Sequence, residues 1–244
     1  YTFTIFYIMK ILIGACTKHS REEFEKSPLY KSMLSTLKCE PTTNHLLYTG
    51  DYQAVVKLNN QDTICAHYNL CIEMAVNEGF DYLLLVHDDI SIEDKFLDEK
   101  IHQALASYDV VGLAGAKQVQ IKEPALWHVM SNQNDWSGAV AHRADSGQVF
   151  VTNFGDTPQR CLVLDGLFMA IKVSSLTDKV RFDTENPGRW HLYDLDFSLT
   201  CNKHGLKLTT WPIWVIHDSP GLSQPSEEFS VAQKYFIEKW TQKS

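Results

Sequence analysis

The stretch from Tyr82 to Ile90 reads YLLLVHDDI. Tyr82 to Val86 form an unbroken apolar run with no polar face. It is too short for an ordinary helix and reads as a strand buried on both sides, the habit of parallel sheets covered by helices. The run stops abruptly in His87-Asp88-Asp89. In open α/β sheets ligands gather beyond the carboxyl ends of the strands, so a polar tip here is delivered to a site. Two neighbouring carboxylates repel, and a bound cation offsets that repulsion. The competing reading is a strand-end turn in which one Asp caps the next helix.

Working outward, the same alternation continues. Asp62 to Glu78 carries Ile64, Cys65, Tyr68, Cys71, Ile72, Ala75 and Val76 at helical spacing, and Gly79 stops it. Upstream, Ile11 to Ala15 reads as a buried first strand. Glu22 to Leu37 reads as a loop and a helix broken by Pro28, and Asn44 to Thr49 and Ala54 to Leu58 as further strands. Downstream, Lys95 to Ser107 reads as a helix and Val110 to Ala114 as another buried strand. These elements predict an α/β fold with a Rossmann-like, mostly parallel central sheet flanked by helices, in a single domain. Lys122 to Pro158 has no clean period and reads as loops with short strands, a mobile cover in which Trp127, Trp136 and His142 belong to a closing lid. Leu162 to Ile171 holds two strand pieces around Asp165-Gly166. Asp194 to His204 reads as a helix and Leu206 to Ile216 as a last strand. Phe229, Ala232, Phe236 and Trp240 form one stripe of a C-terminal helix, Glu227 to Trp240, better suited to core docking than to dimerisation.

The 244 residues are 44% hydrophobic and carry 22 Lys and Arg against 30 Asp and Glu, a net charge of −8. That excludes a disordered chain and a basic nucleic-acid surface. No apolar run reaches membrane-spanning length. The six cysteines form no C-x-x-C pair and read as buried thiols in a reducing, cytoplasmic setting. Residues 1–8, YTFTIFYI, precede Met9 without the basic start or cleavage site of a signal peptide. They read as an upstream extension or an extra edge strand.

Two more segments carry chemistry. In RWHLYDLDFSL, residues 189–199, Asp194 and Asp196 cannot point the same way at a helix start. Both also suit the helix dipole without any further role. In VIHDSPG, residues 215–221, His217 follows an apolar run, as a structural His or as a ligand.

In chain order these segments resemble the GT-A glycosyltransferase fold, most nearly the family-two-like branch with an H-x-D metal motif, from about Met9 to Gly221. ILIGACT matches its first strand, ICAHYNLCIEMA its helix with Tyr68-Asn69, LLLVHDDI its metal strand, DGLFMAIK its acceptor segment and Tyr193-Asp194-Leu195-Asp196 its E-D-x-D stretch. The resemblance implies a nucleotide-binding half over 9–120, an acceptor half over 121–226 and a C-terminal helix over 227–244. It implies a nucleotide-diphosphate sugar as donor and a glycan or glycoconjugate hydroxyl as acceptor. A divalent cation, Mn²⁺ in preference to Mg²⁺, is then held by Asp89 and His217. The donor base and ribose lie against Ala15, Cys16, Thr17, Asn60, Asn69 and Asp88, with His87 in the place of the family's first Asp. Asp194 is the general base of an inverting single displacement. Asp165, Gly166, Trp190 and His191 stand on the sugar or acceptor side, although Trp190 equally suits core packing. Tyr193 departs from the family's Glu. The rival readings are a nucleotidyltransferase, a hydrolase using His87, Asp89, His191 and His217, and a carbohydrate-binding domain without turnover. GACTKHSREEF has one Gly and none of the Gly-rich basic loop a triphosphate needs. Oligomeric state has no signal in the sequence.

Overall fold

The run Ile11–Cys16 becomes β1, buried along its whole length. In this computed structural model, residues 9–39, 52–121, 126–144, 146–218 and 226–241 are described. The strand expected over Asn44–Thr49 and the segment 1–8 lie outside them. Helices α1 (Arg21–Phe24) and α2 (Pro28–Ser32) start where Ser20 and Ser27 accept from the Glu23 and Tyr30 amides. Pro28 opens α2 instead of breaking a helix, because the first helical residue needs no N–H. Then come β2 (Tyr52–Lys57) and α3 (Ile64–Asn77), the latter capped by Thr63. They lead to β3 (Tyr82–Val86), β4 (Ile90–Ile92) and α4 (Leu97–Leu105). β5 (Val110–Gly112), β6 (Ala114–Ala116), β7 (Trp136–Arg143), β8 (Val149–Gly155), β9 (Arg160–Cys161), β10 (Val163–Leu164) and β11 (Phe168–Lys172) follow. The chain continues through α5 (Tyr193–Lys203), β12 (Leu208–Thr210), β13 (Val215–His217) and α6 (Glu227–Thr241).

Among the described residues the central sheet has seven strands in the order β2-β1-β3-β11-β5-β12-β9. β1 is parallel to β2 and β3, and β5 to β12, but β11 runs antiparallel to both its neighbours. Five strands, β2, β1, β3, β5 and β12, thus run the same way, as the apolar runs predicted, and β11 and the edge strand β9 run against them. β11 follows the tight Asp165–Leu167 turn.

A second sheet, β10-β6-β7-β13-β4 with β8 on β7, had no counterpart in the sequence reading. It forms because two runs read as single strands divide between sheets. At Leu113 the chain leaves its central-sheet partners and its carbonyl accepts from the Ala139 amide on β7. Between β12 and β13, Pro212 lacks a ladder N–H, and the Trp214 amide goes to the buried Asp94 carboxylate at 2.8 Å.

Part of the region expected to be a mobile cover is the β7–β8 hairpin, paired from Gly138 and Gly155 to Arg143 and Val149 with a bulge between Gly138 and Ala139. Ser137, Gly138 and Ala141 face inward there, and such small residues leave no apolar period to read. Trp127 is buried against Phe154 and Trp136, and its indole donates to Asp165 at 3.0 Å. Trp127 is thus packed into the wall beside Asp165.

Leu12, Leu83 and Leu85 pack under α3 and α5, while Ile11, Ile13 and Leu84 face α2, α4 and the second sheet. All six cysteines are buried thiols. Phe229, Ala232 and Phe236 dock α6 on the core. Its end is held by Asp196, which accepts from Lys239 at 2.7 Å and from the Trp240 indole at 2.8 Å. Among the described residues no helix is long and apolar enough to cross a membrane.

Candidate functional site

β3 ends with both neighbours engaged. The Tyr68 hydroxyl donates to the Val86 carbonyl at 3.2 Å, and the His87 amide donates to the Leu167 carbonyl at 3.1 Å. The chain then leaves the central sheet at His87-Asp88-Asp89 and enters the second sheet as β4, antiparallel to β13. Ile90 lies opposite His217, and the Asp218 amide donates to the Asp89 carbonyl at 2.8 Å. This makes Asp89 and His217 neighbours across strands of the second sheet.

Asp89 Oδ2 stands 3.3 Å from His217 Nε2, and Asp89 Oδ1 stands 3.8 Å from His87 Nδ1. One ligand atom from each of the three residues lies within 4.8 Å of the others. Asp89 Oδ1 is buried and has no hydrogen-bond partner among the described residues. A buried carboxylate oxygen left unpaired is costly, so this atom calls for a donor or a cation. Two ligands each about 2.1 Å from one divalent ion stand roughly 3 to 4 Å apart, so the spacings fit a shared cation. Burial works to raise the Asp89 carboxyl, yet His217 and His87 hold it below the ordinary range. Burial pulls His217 down, but the Asp89 carboxylate outweighs that and raises it. His87, expected beside the nucleotide, thus stands in this cluster.

Asp88 parts from Asp89. It lies near enough to Cys16 that its charge, after burial and Cys71, pushes that thiol upward. Ala15, Cys16 and Thr17 close the carboxyl end of β1. The Asn60 amide donates to the Thr17 carbonyl at 2.8 Å, tying the loops after β1 and β2 together. Asn69, expected beside the nucleotide, reaches from α3 to the segment before α5. Its side chain brackets the Phe182 backbone, donating to the carbonyl and accepting from the amide at 2.9 Å each.

Asp194 occupies the first turn of α5, next to the Asp165-Gly166 turn. Its Oδ2 accepts from the Gly166 amide and its Oδ1 from the Leu195 amide, both at 2.9 Å. Burial, then the nearby Asp165 charge, pushes its carboxyl up to about 7. Each oxygen keeps a lone pair, and the residue as a whole is half-buried. A Cβ at Gly166 would meet the Tyr193 hydroxyl and sit 2.7 Å from Asp194 Cβ, so only glycine fits there. Asp196 is turned away, against α6.

Trp190 lies under the Lys18 ammonium at 5.0 Å, and His191 meets Phe229 edge-on at 5.4 Å. Arg189 and Leu192 on either side are left-handed, at φ 50° and 60°, a strain often kept beside functional sites. His191 therefore stands apart from the His-Asp-His group the hydrolase reading needs it to join. Sequence reasoning missed Lys18, whose only signal was its place after β1. It also missed that His142 stacks on Phe150 at 5.4 Å and lies 5.7 Å from His217, extending the aromatic wall along β13, β7 and β8.

A family model described as "Glycosyltransferase like family" matches residues 32–240. The chain belongs to this family. Among solved structures, this glycosyltransferase-like chain is similar to GalNAc-T7 with UDP, GalNAc and Mn²⁺, at TM-score 0.54 and 11% identity over 96% of the chain. It is similar to S. aureus TarS at TM-score 0.50 and 13% identity over 93% of the chain. It spans 48% and 64% of those two chains. At these identities the likeness is one of fold, the GT-A fold. No curated protein matches the glycosyltransferase-like chain by sequence.

Proposed function

We propose that the chain transfers a sugar from a nucleotide-diphosphate donor to a hydroxyl of a glycan or glycoconjugate, with a divalent cation at His87, Asp89 and His217. The observation that carries this is the unpartnered, buried Asp89 Oδ1 between two imidazoles at the carboxyl end of β3. One carboxylate and two imidazoles suit Mn²⁺ better than Mg²⁺, and the GalNAc-T7 structure holds UDP with Mn²⁺. A cation there offsets the charge that develops on a diphosphate leaving group.

The protein's own groups divide the remaining work. Ala15, Cys16, Thr17, Asn60 and Asp88 wall the nucleotide within the half spanning 9–120. Asp165, Gly166 and Trp190 stand on the sugar or acceptor side, within 121–226. Asp194 takes the acceptor proton at a free carboxylate lone pair as the oxygen attacks the anomeric carbon. The bond from that carbon to the diphosphate oxygen breaks and its electron pair leaves with the diphosphate, which inverts the centre. A carboxyl raised by burial is a better base than an exposed one. The reading includes a cytoplasmic location.

Calorimetry with UDP-, GDP- and dTDP-sugars, each with and without Mn²⁺, tests this. A transferase binds one diphosphate nucleotide only with metal. Metal-independent binding of a free sugar alone points to a carbohydrate-binding domain instead.

A further inference from the structure

Tyr193 is the residue at which the chain departs from the resembling family's Glu, and its hydroxyl touches two groups at once. It lies 2.6 Å from His87 Nε2 and 3.1 Å from the Gly166 carbonyl. The hydroxyl has one proton, and the carbonyl can only accept. Both contacts are hydrogen bonds in one arrangement alone: Tyr193 donates to Gly166, and His87 Nε2–H donates to Tyr193. The reverse arrangement leaves two oxygens 3.1 Å apart, away from water, with no proton between them.

We propose that Tyr193 is a positioning residue for the metal site, fixing His87 as the Nε2–H tautomer so that a bare Nδ1 faces Asp89 Oδ1 across the gap. In the neutral ring two lone pairs then face each other at 3.8 Å, an arrangement a cation relieves. This rests on the cation reading above. The partners of a metal-binding imidazole's far nitrogen commonly set its tautomer in this way.

The surroundings keep the hydroxyl protonated and in place. Burial pushes the Tyr193 phenol well above its ordinary range. Its ring meets Tyr68 edge-on at 5.8 Å and Phe182 at 6.1 Å. The missing Cβ of Gly166 leaves the space its hydroxyl fills. Gly166 thereby joins two parts of the site, holding Asp194 through its N–H and Tyr193 through its carbonyl.

The test is nitrogen-15 NMR of the histidine rings in the full chain without metal, with His87 assigned by a His87→Gln variant. In its neutral form the His87 ring of the parent chain should carry its proton on Nε2. A neutral ring with the proton on Nδ1 in the parent overturns the proposal. Tyr193→Phe should populate the Nδ1–H form and weaken binding of Mn²⁺ alone by roughly 10- to 100-fold. An unchanged tautomer with Mn²⁺ affinity within about twofold of the parent also overturns it. If the variant does not fold, the parent spectrum alone decides. If the parent binds no Mn²⁺, the cation reading fails, while the metal-free spectra still judge Tyr193 independently.

Discussion

Asp194 and Asp196 are two residues apart, yet one borders the Asp165-Gly166 turn and the other ties α5 to α6. Asp194→Asn should bind donor nearly normally and transfer sugar about 10² to 10⁴ times more slowly, measured at saturating donor and acceptor. In the parent the rate should rise with pH through about 7 as Asp194 loses its proton, and the variant should lose that rise. Stability runs the other way. The folded chain holds the Asp194 proton above the ordinary 3.8, where the unfolded chain has released it. Stability from this group is therefore present at acid pH and lost as pH rises to about 7. Urea titrations at pH 4 and pH 7 should show a smaller loss for Asp194→Asn than for the parent. The placements of Asp89, His217 and Asp194 were legible because each stands at the end of an apolar run or the start of a helix. Those of Asn69 and Tyr193 were not, because the direction a helical side chain takes depends on what the fold brings beside it. Asn69 meets Phe182 and Tyr193 meets His87, each more than a hundred residues away.

Among the elements, α5 and α6 are joined by buried charge. Lys239 reaches Asp183 and Asp196, and Asp183 also accepts from Tyr235 at 2.9 Å. Removing one partner of a buried pair leaves the other unpaired, although Lys239 keeps Asp183. Asp196→Asn should thus cost roughly 1 to 3 kcal/mol in urea unfolding while donor affinity is unchanged. A transfer defect without a stability defect would mean that Asp196, not Asp194, is the base. Gly166→Ala should disturb both Asp194 and Tyr193, lowering transfer and Mn²⁺ binding together, since the added methyl meets backbone-anchored groups. The strands β1, β2 and β3 and the helices α3, α4, α5 and α6 were readable from apolar period and caps. The breaks at Leu113 and Pro212 were not, because each falls inside a run apolar enough to pass for one strand. The β7–β8 hairpin was hidden by its small inward residues.

Over the whole molecule, the site exists because two sheets meet. β3 comes from the central sheet, β13 from the second, and β4 carries the chain between them beside Asp89. The alternating pattern announced the first sheet, while the second is made of short pieces whose partners are distant in sequence, so only the fold reveals it. One core contains Ile13 and Leu84 of the central sheet with Ala116, Val140 and Val215 of the second. Thermal unfolding should accordingly be one cooperative transition, coincident in far- and near-UV circular dichroism; two separate transitions would show that the sheets stand independently. His87, Asp89 and His217 are proposed to hold the cation through which a donor diphosphate is bound. The most direct measurement is calorimetric titration of UDP, GDP and dTDP into the parent chain and Asp89→Asn, with and without Mn²⁺. The account predicts that one of these nucleotides binds the parent only with Mn²⁺, and that Asp89→Asn, still folded, loses that binding. Equal Mn²⁺-supported binding by parent and variant, or no Mn²⁺ dependence in the parent, would contradict it.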